Sequence, residues 1–260
     1  ENIKSAYIIG VGGISLSAIA RFLHARGIKV YGSDLVYNEE VIALEKDKII
    51  SFKLGTAPAF VKKCDILILS SAVSRENSDL VYAQMIGKPI YSRSLVLGEL
   101  TKGKKTISVA GTHGKTTTTG LVSTVFLKNK IKPNIHIGGV LKNINSNMLY
   151  STSDVFITEA CEYKDSFLSL NNFVSVVLNI RPDHLDYFHD IDREFVSFQK
   201  FVDNTDKNGY VIVNNDDNLS RKLIVKANKI TFGIENDADL QAKNIKDDRG
   251  QYSFDLFFYY

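Results

Sequence analysis

Gly111-Thr-His-Gly-Lys-Thr116 is the stretch of this 260-residue sequence with the clearest chemistry. A short apolar run, Thr106-Ile-Ser-Val-Ala110, precedes it, and a helix is predicted over residues 117–128. In the order strand, glycine loop, helix, backbone N–H groups and a helix N-terminus can wrap a chain of phosphates. Lys115 would bring a cation to the β- and γ-phosphate oxygens, and the Thr116 hydroxyl a ligand for Mg²⁺. The loop is shorter than the usual phosphate loop, because Val109 stands where the longer pattern places its first glycine. A glycine turn with a chance lysine would explain the glycines, but not the strand, the Lys-Thr pair and the helix falling in this order.

Other residues fall where a phosphate site could use them. Glu159 closes the predicted strand 154–159, and His184 follows the strand 174–180 within Asn179-Ile-Arg-Pro-Asp-His184. Ligands of an open parallel sheet gather at the carboxyl ends of its strands. Thr116, Glu159 and His184 would meet there and offer oxygen and imidazole to a divalent cation that keeps most of its water. Taken singly, Glu159 could be a solvent-facing carboxylate and His184 a loop histidine with a local hydrogen bond. Asn214, at the end of the strand 210–214, could read an adenine edge or form an Asx-type turn. His189 reads as a structural or surface residue.

A second glycine loop, Gly10-Val-Gly-Gly-Ile-Ser15, lies between the first predicted strand and helix. Gly12 and Gly13 would let a pyrophosphate approach the backbone, and Asp34 stands where an acid meets a ribose hydroxyl. A dinucleotide fingerprint would carry glycine at position 15, so the loop fits a nucleotide diphosphate in general, NAD among the candidates, or a tight turn without ligand.

The elements that must position these residues alternate. Strands are predicted over 6–10, 29–32, 65–70 and 89–91, and helices over 15–26, 39–46 and 78–86, the pattern of a parallel sheet covered on both faces. Further strands are expected at 106–110, 134–137, 154–159, 174–180 and 210–214. The stretch 138–150, rich in Asn and Gly, reads as a mobile or ligand-facing loop. The polar, basic Thr101-Lys-Gly-Lys-Lys105 marks a boundary between domains 1–100 and 101–260. The fold class is therefore α/β, a Rossmann-like parallel-sheet domain followed by a P-loop-type ATPase domain.

Composition narrows the field. With 44% hydrophobic and 23% charged residues the sequence is that of a globular protein, and a net charge of +3 without a basic stripe argues against nucleic acid. No apolar run nears the ~18 residues of a membrane helix. Cys64 and Cys161, far apart, read as reduced and buried, which fits the cytoplasm. The apolar end, Tyr252-Ser-Phe-Asp-Leu-Phe-Phe-Tyr-Tyr260, reads as a strand without a closing element, so the sequence is expected to be incomplete there.

Four segments in this order resemble the Mur ligases of peptidoglycan synthesis. They are Ile8-Ile-Gly-Val-Gly-Gly-Ile-Ser15 with Gly32-Ser-Asp34, Gly111-Thr-His-Gly-Lys-Thr-Thr-Thr-Thr119, Glu159-Ala-Cys-Glu-Tyr163, and residues 179–186. Ser70-Ser-Ala72 and Arg93-Ser-Leu-Val-Leu-Gly-Glu-Leu100 resemble the same family. The resemblance implies a Rossmann-like domain for a UDP-sugar, a central ATPase domain, here incomplete, and a C-terminal amino-acid domain, here absent. It assigns Gly12, Gly13, Ser15, Asp34, Ser70, Ser71 and Arg93 to the UDP part, displacing NAD. ATP would fall to Gly111, Thr112, His113, Gly114, Lys115, Thr116 and Thr117, with Asn214 for adenine. Thr116 and Glu159 would hold one Mg²⁺ and His184 a second, while Lys115, His113, Glu159 and His184 carry the catalysis. Lys200 lies near where some relatives carry a carboxylated lysine. The implied reaction is cytoplasmic and ATP-dependent: it joins L-alanine to UDP-N-acetylmuramate through an acyl phosphate. His113 is shared with a relative that adds a preformed tripeptide, so both acceptors stay open.

Overall fold

Short apolar runs separated by amphipathic helices build the N-terminal sheet in the computed structural model, which describes residues 3–259. In chain order the elements are β1 (Ser5–Ile9), α1 (Ile14–Ala25), β2 (Lys29–Asp34), α2 (Glu39–Lys46), β3 (Ile50–Leu54), α3 (Pro58–Lys63), β4 (Ile66–Leu69), α4 (Ser78–Met85), β5 (Ile90–Ser92) and α5 (Arg93–Thr101). The five strands run parallel in the order β3-β2-β1-β4-β5. Strand order therefore reverses between β1 and β4, which opens a crevice at their carboxyl ends. Residues alternate across β1 because side chains of a strand point to opposite faces. Ala6 and Ile8 pack with Leu16, Ile19 and Leu44 on one face, Tyr7 and Ile9 with Val61 and Ala83 on the other.

The chain continues through β6 (Lys105–Ala110), α6 (Lys115–Lys128), β7 (Asn134–Leu141), β8 (Ser146–Leu149), β9 (Val155–Glu159), β10 (Asn172–Val177), α7 (Leu185–Phe188), α8 (Ile191–Asp203), β11 (Thr205–Asn214), β12 (Asn228–Gly233), β13 (Leu240–Asp248) and β14 (Gln251–Phe258). Two compact units result: the residues up to Leu100 with Ser123–Ser153, and Thr101–Val122 with the residues from Asp154 on. In the second unit seven strands follow the order β14-β13-β12-β11-β10-β6-β9, all parallel except β14. Strand β6, which leads into the glycine loop, is thus flanked by β9 and β10, whose ends carry Glu159 and the loop to His184. Under this sheet Phe167 stacks on Phe201 at 4.7 Å and meets Phe198 edge-on at 5.3 Å. Phe198, Phe201 and Val202 line the buried face of α8, whose first turn is capped by the Asp190 carboxylate accepting from Arg193 N at 2.8 Å.

Two expectations are corrected. Residues 138–150 are not a mobile loop but most of an antiparallel hairpin, β7 with β8, paired at Ile135–Leu149 and Leu141–Ser146. Asn143 and Asn145 lie in the turn between the strands, where Asn145 is left-handed at φ 47°, whereas Gly138 and Gly139 belong to β7, and Asn147 and Met148 of β8 are buried. The hairpin packs on α1: Asn147 Nδ2 donates to Ile14 O at 2.7 Å, and Tyr150 meets Phe22 edge-on at 5.0 Å. Cys161 is only half-buried, unlike Cys64, and both thiols are free. Among the described residues no helix is long and apolar enough to cross a membrane.

Candidate functional site

The loop after β6 is built to lie open-handed against its neighbour. Gly111 has φ +141°, and a Cβ there would lie 3.0 Å from Leu178 Cβ and 3.1 Å from Asn179 N, so no side chain fits. Thr112 donates its N–H to Asn179 O at 3.1 Å, and its hydroxyl accepts from Arg181 N at 2.8 Å. The Asn179 side chain brackets His113, accepting from its N–H at 2.9 Å and donating to its carbonyl at 3.1 Å. These bonds fix the backbone of the loop and leave His113, Gly114, Thr116 and Thr117 exposed, with Gly111 and Thr112 buried.

Lys115 curls back over this loop. Its ammonium donates to Gly111 O at 2.6 Å, to Thr112 O at 3.2 Å and to Glu162 Oε1 at 2.9 Å. An ammonium has three donors, so all are engaged. Glu162 is fully buried, and its Oε2 has no hydrogen-bond partner among the described residues. Glu162, Asp183 and His184 offer ligand atoms that all lie within 4.8 Å of one another. His184 is left-handed, at φ 50° and ψ 40°, where α7 begins, and its ring lies 4.6 Å from that of Tyr163. Tyr163 in turn donates to Asp186 at 3.1 Å. Behind the trio, buried Glu194 accepts from Asp183 N at 3.2 Å, and burial pushes its carboxyl above the usual range.

Of the carboxylate and imidazole residues expected to hold a cation, His184 stands in the trio and Glu159 does not. Glu159 ends β9 beside Val109, with its Oε1 buried and lacking a hydrogen-bond partner among the described residues. Glu162 and Asp183 carry no role in the reading of the sequence alone, although a carboxylate three residues after Glu159 and another beside His184 are the signal that marks them. Asn214 donates to Leu178 O at 2.9 Å and accepts from Asp216 N at 2.9 Å, which makes it an Asx-type turn. Lys200 lines a separate cleft with Asp165, Asp190 and Asp192.

In the first unit, Gly10, Gly12, Gly13, Asp34, Asn38 and Ser70 line a cleft of about 770 Å³ at the carboxyl ends of β1, β2 and β4. Asp34 accepts from Gly12 N at 2.9 Å, and Asn38 donates to Gly12 O at 3.0 Å. A Cβ at Gly12 would press into both side chains, at 2.9 to 3.0 Å. Ser71 is exposed nearby in sequence, and neither it nor Ser15 or Arg93 lines the cleft. Ser15 and Arg93 belong instead to a chain of hydrogen bonds: Arg93 donates to Ser15 Oγ at 3.1 Å, and Ser15 lies 2.8 Å from His136 Nε2.

Burial, reinforced by Arg93, holds the His136 imidazole down to about 3, so it is neutral in the fold. Below the ordinary histidine range the unfolded chain takes up a proton that the folded one refuses. Stability should therefore be intact above about pH 6.5 and fall by about 1.4 kcal/mol per unit as the pH drops towards 3. Urea unfolding at pH 7 and pH 5 should differ by about 2 kcal/mol more in the native protein than in a His136→Gln variant.

The Mur ligase family catalytic domain matches residues 5–105, and the Mur ligase middle domain matches residues 109–259. The UDP-N-acetylmuramate--L-alanine ligase of Clostridium acetobutylicum is 42% identical over 98% of this chain and 56% of its own length. The UDP-N-acetylmuramate-alanine ligase structure from Thermotoga maritima superposes with a TM-score of 0.87 at 27% identity, covering 99% of this chain and 58% of that one. A UDP-N-acetylmuramate:L-alanyl-gamma-D-glutamyl-meso-diaminopimelate ligase from Neisseria meningitides gives 0.87 at 26% identity, covering 98% and 84%. The chain spans a little over half the length of the curated relatives it matches.

Proposed function

We propose, from the premise that this chain belongs to the Mur ligase family, that it is the substrate- and ATP-binding part of a ligase joining L-alanine to UDP-N-acetylmuramate. The observation that carries the reading is Lys115 on a glycine loop at the end of β6, beside three carboxylate and imidazole donors on the adjacent loops. Residues 1–100 would hold the UDP-sugar, in the cleft at Gly12, Gly13, Asp34 and Ser70, with Ser15, Ser71 and Arg93 around it. Residues 101–260 would hold ATP on Gly111 to Thr117. Asn214 would have to release a backbone partner to read adenine.

A carboxylate resists amines because its charge repels them and its oxygen leaves badly. Transfer of the γ-phosphoryl group to the lactyl carboxylate oxygen, with the bond to ADP breaking, removes both obstacles. The L-alanine nitrogen then adds to the acyl carbon, loses a proton, and phosphate departs as the amide closes. Throughout, two anions must be held together, and this chain's own contribution is Lys115, the loop N–H groups and the exposed Thr116 hydroxyl. His113, its backbone clamped by Asn179, has an exposed imidazole free to hydrogen-bond substrate or intermediate. The oxygen donors of Thr116 and Glu159, the latter with one buried oxygen lacking a hydrogen-bond partner among the described residues, fit one Mg²⁺, and the imidazole of His184 would hold a second. When bound, Mg²⁺ neutralises charge building on the phosphate oxygens.

L-alanine is favoured over a preformed peptide because curated relatives at 38–42% identity are named for it. The test is phosphate release from ATP in the enzyme that contains this chain. Release that requires both UDP-N-acetylmuramate and L-alanine supports the reading. Release with UDP-N-acetylmuramate and a tripeptide, but not L-alanine, would reassign the acceptor.

A further inference from the structure

Glu162 is the residue that neither the glycine loop nor the expected cation set accounts for. It is fully buried, one oxygen is bound to Lys115 at 2.9 Å, and the other has no hydrogen-bond partner among the described residues. It also belongs to the trio with Asp183 and His184. A carboxylate in that position faces two different partners. While Lys115 is saturated by Gly111 O, Thr112 O and Glu162, its charge is already answered and none of its donors is available to a phosphate. An arriving phosphate must take one of those donors, and Glu162 is the only one of the three acceptors that carries a full charge. Once Lys115 turns to the phosphate, two anions would face each other in a poorly solvated site unless a cation answers Glu162.

We infer that Glu162 is a positioning residue that passes from Lys115 to a divalent cation shared with Asp183 and His184 when a nucleotide triphosphate binds. Its charge makes nucleotide binding conditional on the cation: without one, Glu162 holds the lysine and repels the phosphate, and with one, it becomes a ligand. The inference rests on the phosphate-loop reading above and adds to it a residue and a direction of coupling.

The measurement is ATP affinity by calorimetry, with chelator and with Mn²⁺, for the native chain and for Glu162→Gln. In chelator the variant should bind ATP more tightly than the native protein by at least roughly tenfold, because a repelling charge is gone. With Mn²⁺ the advantage should vanish, and electron paramagnetic resonance should show weaker Mn²⁺ binding by the variant. Glu162→Asp keeps the charge, so it should bring the cation dependence back. A residue with a merely structural role would weaken ATP binding under both conditions when replaced. If Glu162→Gln binds ATP no better in chelator, or Mn²⁺ helps both proteins equally, the inference is overturned while the phosphate loop stands. If native protein and variant both fail to bind ATP with Mn²⁺ present, the phosphate-loop reading falls and this inference with it. Should Glu162→Gln melt well below the native protein, the comparison of Glu162→Asp with native protein decides: a cation dependence unlike the native one overturns the inference.

Discussion

In the enzyme that contains this chain, Lys115→Ala should lower ATP-dependent ligation by roughly 10²–10³-fold, the size expected when a preorganised charge is removed from a developing anion. In this fold the lysine is not an isolated surface cation. It leaves the first turn of α6, crosses its own loop and ends on a buried carboxylate. The substitution therefore has two effects that must be separated. Phosphate charge goes uncompensated, and Glu162 is left buried without its partner, which costs about 3–5 kcal/mol of stability when a buried pair is broken from one side. A Lys115→Ala/Glu162→Gln double variant should recover most of that stability, because neither charge then remains. It should not recover ligation, since no side chain replaces the ammonium. Thermal melting and phosphate-release rates on the two variants check both halves. Turnover close to native in Lys115→Ala would remove the glycine loop from the mechanism.

The second large effect is at His184. His184→Ala should cut the rate by roughly 10²-fold, while ATP affinity at saturating Mg²⁺ stays within roughly threefold, because the loop amides and Lys115 are untouched. The imidazole is half-buried against Tyr163, on a backbone held in the left-handed region, and lies within 4.8 Å of the donor atoms of Glu162 and Asp183. Raising Mg²⁺ should restore part of the rate, since two of the three donors remain. An unchanged rate at ordinary Mg²⁺ would remove His184 from the cation site and leave it a capping residue of α7.

Much of this architecture is legible in local patterns. Alternating apolar strands and amphipathic helices imply a parallel sheet, and a glycine loop between strand and helix implies a phosphate cradle. Both depend on neighbours in sequence. The Asn-rich stretch 138–150 misleads because turn residues dominate its composition, while its pairing is settled by where Asn147 and Tyr150 land on α1. Ser15 reads as a defect in a dinucleotide fingerprint. Its hydroxyl is in fact engaged by Arg93, 78 positions away, and by His136, 121 positions away, which no local pattern can show. Glu162 is hidden for a similar reason. Left-handed Lys164 and Asp165 bend the chain just after it, and Asp165 is tied to Tyr187 at 2.6 Å, so its approach to the 183–184 loop is a product of packing. Long-range partners, more than residue types, are what the sequence conceals.

The most direct test of the whole account is a calorimetric titration of this chain with UDP-N-acetylmuramate, run beside one with NADH. The cleft at Gly12, Asp34 and Ser70 predicts saturable binding of the sugar nucleotide and no heat from NADH. Binding of NADH alone would contradict the account, making the first glycine loop a dinucleotide site and leaving the ligase reading without its sugar-nucleotide substrate.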